Sequence, residues 1–429
     1  MTIRIGNASA FWGDSRFGIL RIASEVDYLT LDYLSEVSLS IMAVQKEKNP
    51  ELGYAEDFLK AMQQIVPVFE KGKPLKVITN AGGLNPRALA QKVKALKPDL
   101  RVFVVLGDDV LQTMQQDPSS QHYQNLDTQA SYETITSLAV TANAYLGAYP
   151  IKEALDLGAD IVITGRSADP SLTLAPCLHH FKWKNEEWDK LAAGTIAGHL
   201  IECGTQVTGG ISTDWLNLSK DPPIGFPIAE ISEDASILIT KQTGSGGAVT
   251  EMTVKEQLLY EIGDPSGYLS PDVTVSFLQL SVETVGQDRV AVRGAKGSPP
   301  TNTFKVSATY RAGFKAEGML TLCGSDLKEK ALAAGELLFN KLDLMGSKYE
   351  DRLTELIGKG EEAVLRLAVR SFQKKSVEAF SEEVASLVTC GPPGTTGYSS
   401  GRPKVRPAFG FWPCLIEKKT VNVTIEEVS

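Results

Sequence analysis

The chain has few of the features that mark secreted or membrane proteins. Its 429 residues include five cysteines and no CxxC pair, which argues against a disulfide framework or a zinc ribbon. No run approaches the roughly 20 apolar residues of a membrane span. The opening MTIRIGNASAFWGDS lacks the apolar core of a signal peptide. We therefore expect a cytoplasmic protein that does not enter a membrane.

Positive charge is also scarce. The net charge is −9 and the pI is about 5.2, whereas nucleic-acid-binding proteins normally carry a basic excess. No nicotinamide, flavin or pyridoxal fingerprint is present, so the motifs predict no recognised cofactor. The sequence therefore favours a small-molecule substrate over a nucleic acid as the ligand.

The patterns that are present predict two domains. Through residue 219, short apolar runs alternate with amphipathic stretches, which predicts a doubly wound, mostly parallel α/β sheet. The longest helical pattern covers Ser131–Leu157. Residues 220–429 alternate with period two between Gly-rich turns, which predicts an α+β domain with an antiparallel sheet. The segment KDPPIGFP, at 220–227, is the expected linker.

Polar residues follow four strands of the predicted parallel sheet. Ligands of open α/β sheets bind beyond the carboxyl ends of the strands, so we expect these residues to share a pocket. Independent turns are the alternative, but turns alone do not require arginine, tryptophan or paired aspartates. The four sets are Asn7, Trp12 and Asp14; Asn80, Gly82 and Gly83; Asp108 and Asp109; and Thr164, Arg166 and Asp169.

These residue types suggest roles in acid–base chemistry. Arg166 would hold a substrate carboxylate, or it would pair with Asp169 in a turn. Asp109 or Asp169 would be the general acid or base. Asn80 and the amides of Gly82 and Gly83 would stabilise an oxyanion, although the glycines also suit a tight turn.

Asp108 and Asp109 have two further interpretations. They could cap the following helix, or they could bind a divalent cation, which would make the protein a metal-dependent lyase. The sequence contains no recognised set of metal ligands, and a divalent metal is not excluded.

Two loops outside these strand ends are further candidates. The segment TKQTGSGGAVT leads into a helix expected near Thr250, so Lys241, Ser245, Gly246 and Gly247 would contact a phosphate, a carboxylate or CoA. An ordinary flexible loop is the alternative. In GPPGTTGYSSGRP, Arg402 and Ser399 lie on a segment that either folds over a ligand or serves as a connector.

Many segments together resemble the acyclic terpene utilisation (AtuA-like) proteins. They include RIGNASAFWGD, DYLTLDYLSE, ITNAGGLNP, VITGRSADPSL, AGHLIECGTQVTGG and TKQTGSGGAVT. The likeness runs to at least residue 273 and continues more weakly to the end. It implies a part in acyclic terpenoid catabolism, where acyl-CoA thioesters are carboxylated, hydrated and cleaved, and it assigns no catalytic residue.

The resemblance also suggests a partner. Longer relatives carry a small ferredoxin-like domain, and we expect this chain to end before it. The hypotheses are then an enzyme, namely a hydro-lyase or carbon–carbon lyase acting on an acyl-CoA or a branched carboxylic acid, or a non-catalytic subunit of an acyl-CoA-processing complex. A separate ferredoxin-like subunit and a homo- or hetero-oligomer are the expected partners.

Overall fold

Strands and helices alternate through the first half of the chain, as the sequence predicts. Most of these strands are short apolar runs, because residues buried on both faces of a sheet have no polar side. The elements are β1 (Thr2–Asn7), α1 (Ile19–Glu25), β2 (Tyr28–Leu31), α2 (Ser38–Lys48), α3 (Asp57–Glu70), β3 (Lys76–Thr79), α4 (Pro86–Leu96), β4 (Val102–Leu106), α5 (Leu111–Gln116), β5 (Ala139–Ala144), α6 (Tyr149–Asp156), β6 (Ile161–Thr164), α7 (Ser171–Phe181) and α8 (Trp188–Glu202).

The second half is dominated by antiparallel strands. Its elements are β7 (Pro227–Ser232), β8 (Ile237–Lys241), α9 (Glu251–Leu259), β9 (Tyr268–Leu269), β10 (Thr274–Ser276), β11 (Ser281–Gly286), β12 (Arg289–Arg293), β13 (Lys296–Ser298), β14 (Thr303–Cys323), α10 (Leu327–Leu344), β15 (Asp351–Ile357), β16 (Glu362–Ser371), α11 (Lys374–Glu383), α12 (Leu387–Cys390), β17 (Thr395–Tyr398), β18 (Arg406–Glu417) and β19 (Thr424–Val428).

The division of the chain differs from a boundary at residue 220. The computed structural model describes residues 1–398 and 401–429. Its first unit contains 1–136, 140–308 and 412–429, and its second contains 137–139 and 309–411. Residues beyond 220 join the first sheet because β7 pairs antiparallel with β1, with Ala229 opposite Ile5. The alternating pattern that begins near residue 220 therefore reflects antiparallel strands added to the same sheet. It does not mark the start of a new unit.

The main sheet places the strand ends that matter for the site. Its order is β11-β12-β8-β7-β1-β2-β3-β6-β4-β19. The five strands from β1 to β4 in this order are mutually parallel, while β7 and β19 flank them antiparallel. The carboxyl ends of the parallel strands therefore lie along one edge.

Both faces of the parallel part of this sheet are buried. On one face, Val77, Ile161 and Val104 share a core with Phe58 of α3 and Leu89 of α4. The alternate residues of the same strands point to the other face and are also buried. Helices α6, α7 and α8 pack in succession against one another and against strands of the sheet. This mixed α/β architecture confirms the predicted fold class.

The second unit is a smaller antiparallel sheet with helices against it. The strand order is β15-β16-β14-β17. Leu320 and Leu322 of β14 share an apolar core with Leu338 of α10 and Phe380 of α11. Side chains alternate along β14, so its intervening residues, such as Lys315 and Glu317, are exposed.

The prediction of one long helix over Ser131–Leu157 is wrong. Residues Ala139–Ala144 form β5, and α6 begins only at Tyr149. Pro150 lies in the first turn of α6, where a proline is tolerated because it removes an amide that has no helical partner. The alanine-rich strand has a helix-forming composition, and its tertiary pairing overrides that preference.

Gly82 brings β3 and β6 together and provides a test of this packing. A Cβ at Gly82 would lie 2.5 Å from the carbonyl oxygen of Thr164 and 2.9 Å from Cβ of Pro86. We expect Gly82→Ala to lower the free energy of unfolding by about 1–3 kcal/mol, measured by urea denaturation. Gly263→Ala is the control, since its Cβ would meet nothing within 4 Å. Equal stability of both variants would contradict the close approach.

Candidate active site

Polar side chains meet at the carboxyl edge of the parallel strands. Asn7 ends β1, Asp32 follows β2, Asn80 follows β3 and Arg166 follows β6. All four are buried, with at most 5% of their surface exposed. The strand after which the sequence predicts no site residue, β2, lies between β1 and β3 and provides Asp32.

Arg166 is the cation of this site. It is 2% exposed, and its Nη1 donates to the carbonyl oxygen of Leu34 at 2.6 Å and to Oδ1 of Asp169 at 2.8 Å. The guanidinium carbon lies 4.1 Å from the ring centre of Tyr145. Within the described residues its Nε has no hydrogen-bond partner. The nearest anion in the protein is therefore Asp169, and the N–H of Nε is left to bind a ligand or water.

Asp32 is held in place by Asn80. The amide of Asn80 donates to Oδ1 of Asp32 at 2.7 Å, and its oxygen accepts the backbone N–H of Tyr33 at 2.7 Å. Burial and the charge of Asp169 raise the pKa of Asp32 well above its usual range, although Arg166 and Asn80 oppose this shift. Asn80 thus positions a carboxyl group that keeps its proton to unusually high pH.

Glu202 and His199 form the second acidic part of the site. Nδ1 of His199 lies 3.1 Å from Oε1 of Glu202, and Nε2 lies 2.9 Å from the carbonyl oxygen of Gln257. A carbonyl oxygen only accepts, so Nε2 carries a proton. Burial lowers the pKa of His199 to about 4, so Nδ1 is unprotonated at neutral pH and must accept a hydrogen bond from Glu202.

The protonation of Glu202 agrees with this arrangement. Burial and the neighbouring Asp169 raise the pKa of Glu202 well above its usual range. The distance alone would also suit an ion pair, but both pKa shifts favour a neutral histidine with a neutral carboxyl group. The second oxygen, Oε2, is buried and has no hydrogen-bond partner among the described residues, so it can meet a ligand.

The electrostatics of the site follow from one positive charge among three carboxyl groups. We call Asp32, Arg166, Asp169, His199 and Glu202 the Arg166 cluster. Asp169 pairs directly with Arg166, and its negative charge raises the pKa values of the other two carboxyl groups. The cluster therefore combines one carboxylate with two groups able to donate a proton.

Two tyrosines border the cluster. Tyr145 donates from its hydroxyl to Oε1 of Glu36 at 3.0 Å, and burial raises its pKa to about 12. Burial and the charge of Glu202 raise the pKa of Tyr268 as well. Both side chains therefore stay neutral phenols at physiological pH.

The paired aspartates after β4 have separate environments. Asp108 is buried, and its Oδ2 accepts from the backbone N–H of Arg166 at 2.7 Å and from Asn143 at 2.8 Å. Asp109 is exposed and accepts from the backbone N–H of Leu111, the first residue of α5, at 3.1 Å, whereas Val110 holds the N-cap position. Asp108 thus supports the loop that carries Arg166, and Asp109 contacts the start of α5.

The remaining strand-end residues have structural contacts. Asn7 donates to the carbonyl oxygens of Ile201 and Glu202 at 2.8 and 2.9 Å, so it holds the end of α8 at the site. Asp14 accepts the backbone N–H groups of Ala10 and Ser15, and Trp12 packs against the core. Thr164 accepts from Ser167 at 3.0 Å.

The Asn80–Gly83 turn uses at least one of its own amides. The N–H of Gly83 donates to the carbonyl oxygen of Asn80 at 3.2 Å, and a Cβ at Gly82 would clash with Thr164. A side chain at Gly83 would likewise clash with Met42, so close packing explains both glycines. Their role in stabilising an oxyanion stays a prediction.

The Gly-Ser loop is hydrogen-bonded to the segment 219–223 and within itself. The N–H groups of Gly246 and Gly247 donate to the carbonyl oxygens of Pro223 and Ser219, at 2.9 and 2.7 Å. Lys241 donates to the carbonyl oxygen of Ser245 at 2.7 Å. Helix α9 begins at Glu251, where Thr250 and Thr253 cap each other. These contacts brace the loop, and its binding of an anion stays a prediction.

Arg402 belongs to the second unit, where it lines a groove together with Lys315 and Arg406. Ser399, from the same Gly- and Pro-rich segment, lies outside the described residues. No group of three or more His, Cys, Asp or Glu side chains within residues 1–398 and 401–429 is placed to hold a metal ion. A metal-dependent lyase based on Asp108 and Asp109 thus gains no support from the geometry.

Sequence reasoning missed Asp32 as a site residue. Asp32 directly follows the buried strand YLTL, which is the same signal that singled out Asp108. Glu202 has no comparable signal, because it ends a helix whose residues are otherwise mostly apolar. Only the packing of α8 against β1 brings its side chain to the strand ends.

The sequence profile of the acyclic terpene utilisation family protein AtuA matches residues 3–426. The chain belongs to the AtuA family. This membership confirms the resemblance seen in the sequence motifs and points to a role in terpene catabolism. No match was found among curated proteins. None of the helices in the described residues combines the length and apolar character needed to cross a bilayer.

Asp108 gives a pH-dependent test of this AtuA protein. Burial raises its pKa from 3.8 to about 6, so the folded protein binds this proton more tightly than the unfolded chain does. The folded state therefore loses stability as the pH rises from about 4 through 6. Asp108→Asn keeps an oxygen acceptor and avoids that loss.

We expect the unfolding free energy of Asp108→Asn, relative to wild type, to increase over this pH range by up to about 3 kcal/mol. Urea denaturation at several pH values measures the difference. Asp109→Asn changes the exposed neighbour and is the matched control. A difference for Asp108→Asn that does not vary with pH would contradict a buried, shifted carboxyl group.

Arg166 is expected to be structurally important. Arg166→Ala leaves Asp169 without its cation and should lower the free energy of unfolding by about 3 kcal/mol or more, as measured by urea denaturation. Arg87→Ala removes an exposed pair with Glu426 and should cost less than about 1 kcal/mol. An Arg166→Ala variant as stable as wild type would indicate a role in ligand binding alone.

Proposed function

We propose that this AtuA protein is an enzyme that adds or removes water, or cleaves a carbon–carbon bond, in an acyl-CoA or a branched carboxylic acid. The observation that carries the proposal is the Arg166 cluster, in which two buried carboxyl groups have raised pKa values beside a carboxylate. Lyase reactions of this kind need one group that accepts a proton and another that donates one.

Glu202 is the better candidate for the general acid. Its Oε1 contacts His199, while Oε2 has no hydrogen-bond partner among the described residues. Asp32 is also able to hold a proton, but its Oδ1 accepts hydrogen bonds from Asn80 and Leu34. Oε2 of Glu202 can therefore accept a hydrogen bond from a substrate hydroxyl, which would bring that hydroxyl next to the acid.

Asp169 is the candidate general base. Its side chain is 31% exposed, so it is the most accessible of the three carboxyl groups, and it pairs directly with Arg166. In the dehydration direction, Asp169 takes the proton from the carbon next to the substrate carbonyl. The protonated oxygen of Glu202 turns from His199 to the departing hydroxyl and gives up its proton, so the hydroxyl leaves as water and a carbon–carbon double bond forms.

Arg166 acts mainly on the electrostatics of this reaction. Its guanidinium pairs with Asp169, and its free Nε can donate to a carboxylate or carbonyl oxygen of the substrate. The predicted bidentate grip on a substrate carboxylate would require Arg166 to give up part of its pairing with Asp169. A single hydrogen bond from Nε needs no such rearrangement.

The family membership supports the choice of substrate class, since branched acyl groups are the natural intermediates of acyclic terpenoid breakdown. The alternative of a non-catalytic subunit with a separate ferredoxin-like partner stays a prediction, as does the oligomeric state. Size-exclusion chromatography with light scattering tests the oligomeric state.

Glu202→Gln tests the proposed function. The glutamine amide can still donate to Nδ1 of His199, so the fold should be preserved, but no proton can be transferred. With branched enoyl-CoA and 3-hydroxyacyl-CoA thioesters and the free acids, we expect kcat/KM to fall about 100-fold or more. Mass spectrometry of the gain or loss of water, or of cleaved fragments, measures the reaction.

Glu186→Gln is the matched control, because Glu186 is an exposed glutamate of the same unit, and it should retain wild-type activity. Thermal unfolding of both variants checks that the fold is intact. A Glu202→Gln variant that is as active as wild type would remove Glu202 from the mechanism. A wild-type protein that converts none of these compounds would remove the proposed substrate class.

A further inference from the structure

The second unit contains a groove whose charge is opposite to that of the whole chain. The groove has a volume of about 700 Å³ and lies along β14, β15 and β16 and residues 402–406. Seven of its lining side chains are Lys or Arg and two are Glu or Asp, whereas the chain has a net charge of −9. Such a local excess of positive charge attracts anions.

Three arginines of the groove are already neutralised. Arg366 pairs with Glu317 at 2.7 Å and with Glu355 at 3.1 Å, and Arg370 and Arg352 each pair with an aspartate. These pairs join neighbouring strands and the adjacent helix α10. They therefore hold the sheet surface in a fixed arrangement below the remaining cations.

Four cations of the groove lack such partners. Lys315, Arg402, Lys404 and Arg406 are exposed and form no ion pair with a carboxylate in the part of the chain that the structure describes. They come from β14 and from the segment that precedes and begins β18, and they line one groove. Four uncompensated charges exceed what a single carboxylate would neutralise, so the ligand should carry several negative charges.

The groove also has an apolar floor. Leu353 and Ala368, which are paired across β15 and β16, lie between the charged side chains. Its volume lies within the range of small-molecule sites, about 300–1,000 Å³, which is too small for a nucleic-acid duplex. Guanidinium groups suit phosphate oxygens because their N–H groups form paired hydrogen bonds. An organic molecule with phosphate groups fits both features.

We propose that this groove binds a nucleotide-type ligand that carries two or more phosphate groups, with the phosphates on Lys315, Arg402, Lys404 and Arg406. The proposal depends on the proposed function only for the choice of CoA as the first probe. CoA carries a 5′-diphosphate and a 3′-phosphate, and ADP carries the diphosphate alone. Binding is expected to weaken at high salt, because exposed charges are screened.

Isothermal titration calorimetry of the full chain with CoA, ADP, pantetheine and inorganic pyrophosphate tests the proposal. We expect CoA and ADP to bind and pantetheine to fail. The double variant Arg402→Gln, Lys404→Gln should bind CoA about tenfold or more weakly, since it loses two charge-assisted contacts. The double variant Lys328→Gln, Lys375→Gln removes two exposed lysines from helices of the same unit and should bind like wild type.

Three results would overturn the proposal. The first is that neither CoA nor ADP binds, or that both double variants bind CoA as tightly as wild type. The second is pyrophosphate binding as tight as that of CoA, which indicates a general anion surface. The third is binding of an oligoglutamate peptide without binding of CoA or ADP, which indicates a protein partner. Glu202→Gln should bind CoA like wild type, so failure of the groove and failure of the proposed function are distinguishable.

Discussion

The ion pair between Arg166 and Asp169 is the interaction on which the site depends. One buried guanidinium can compensate one carboxylate, and Asp169 takes that place. Asp32 and Glu202 are buried in the same field without a cation of their own, so both favour their protonated forms. The difference in protonation among the three carboxyl groups thus follows from the presence of a single buried cation.

The fold places three carboxyl groups around one cation by bringing distant segments to one edge of the main sheet. The parallel strands β1, β2, β3 and β6 end side by side, and α8 adds Glu202 from the direction of β1. Each acidic residue is fixed by a neutral neighbour: Asn80 holds Asp32, and His199 contacts Glu202. Neutral hydrogen-bonding partners orient a carboxyl group without forcing it to ionise, which a lysine or arginine in the same place would do.

The sequence predicted the fold better than the site. Period and turn signals located most strands of the parallel sheet, because buried apolar runs are unambiguous there, but the alanine-rich β5 looked helical and was misassigned. Arg166, Asp169 and Asn80 stood out as polar residues at strand ends. Asp32 carried the same signal and was overlooked. Glu202 was recognised only as part of the segment AGHLIECGTQVTGG, because its approach to the strand ends depends on how a helix packs. The packing of Gly82 against Thr164 explains a glycine at this position, and its role in stabilising an oxyanion stays a prediction.

Arg166 in the first unit is buried and Arg402 in the second is exposed, and this difference in burial decides how strongly each charge acts. Arg166 is excluded from water, so its charge acts strongly on every group around it and would be costly to leave unpaired. Arg402 is exposed, so water screens its charge, and a single contact there contributes little. An exposed cation therefore becomes selective only when several act together on one ligand, as the grouping of Arg402 with Lys315, Lys404 and Arg406 allows. A single buried cation, such as Arg166, acts strongly on the groups around it without help from other cations.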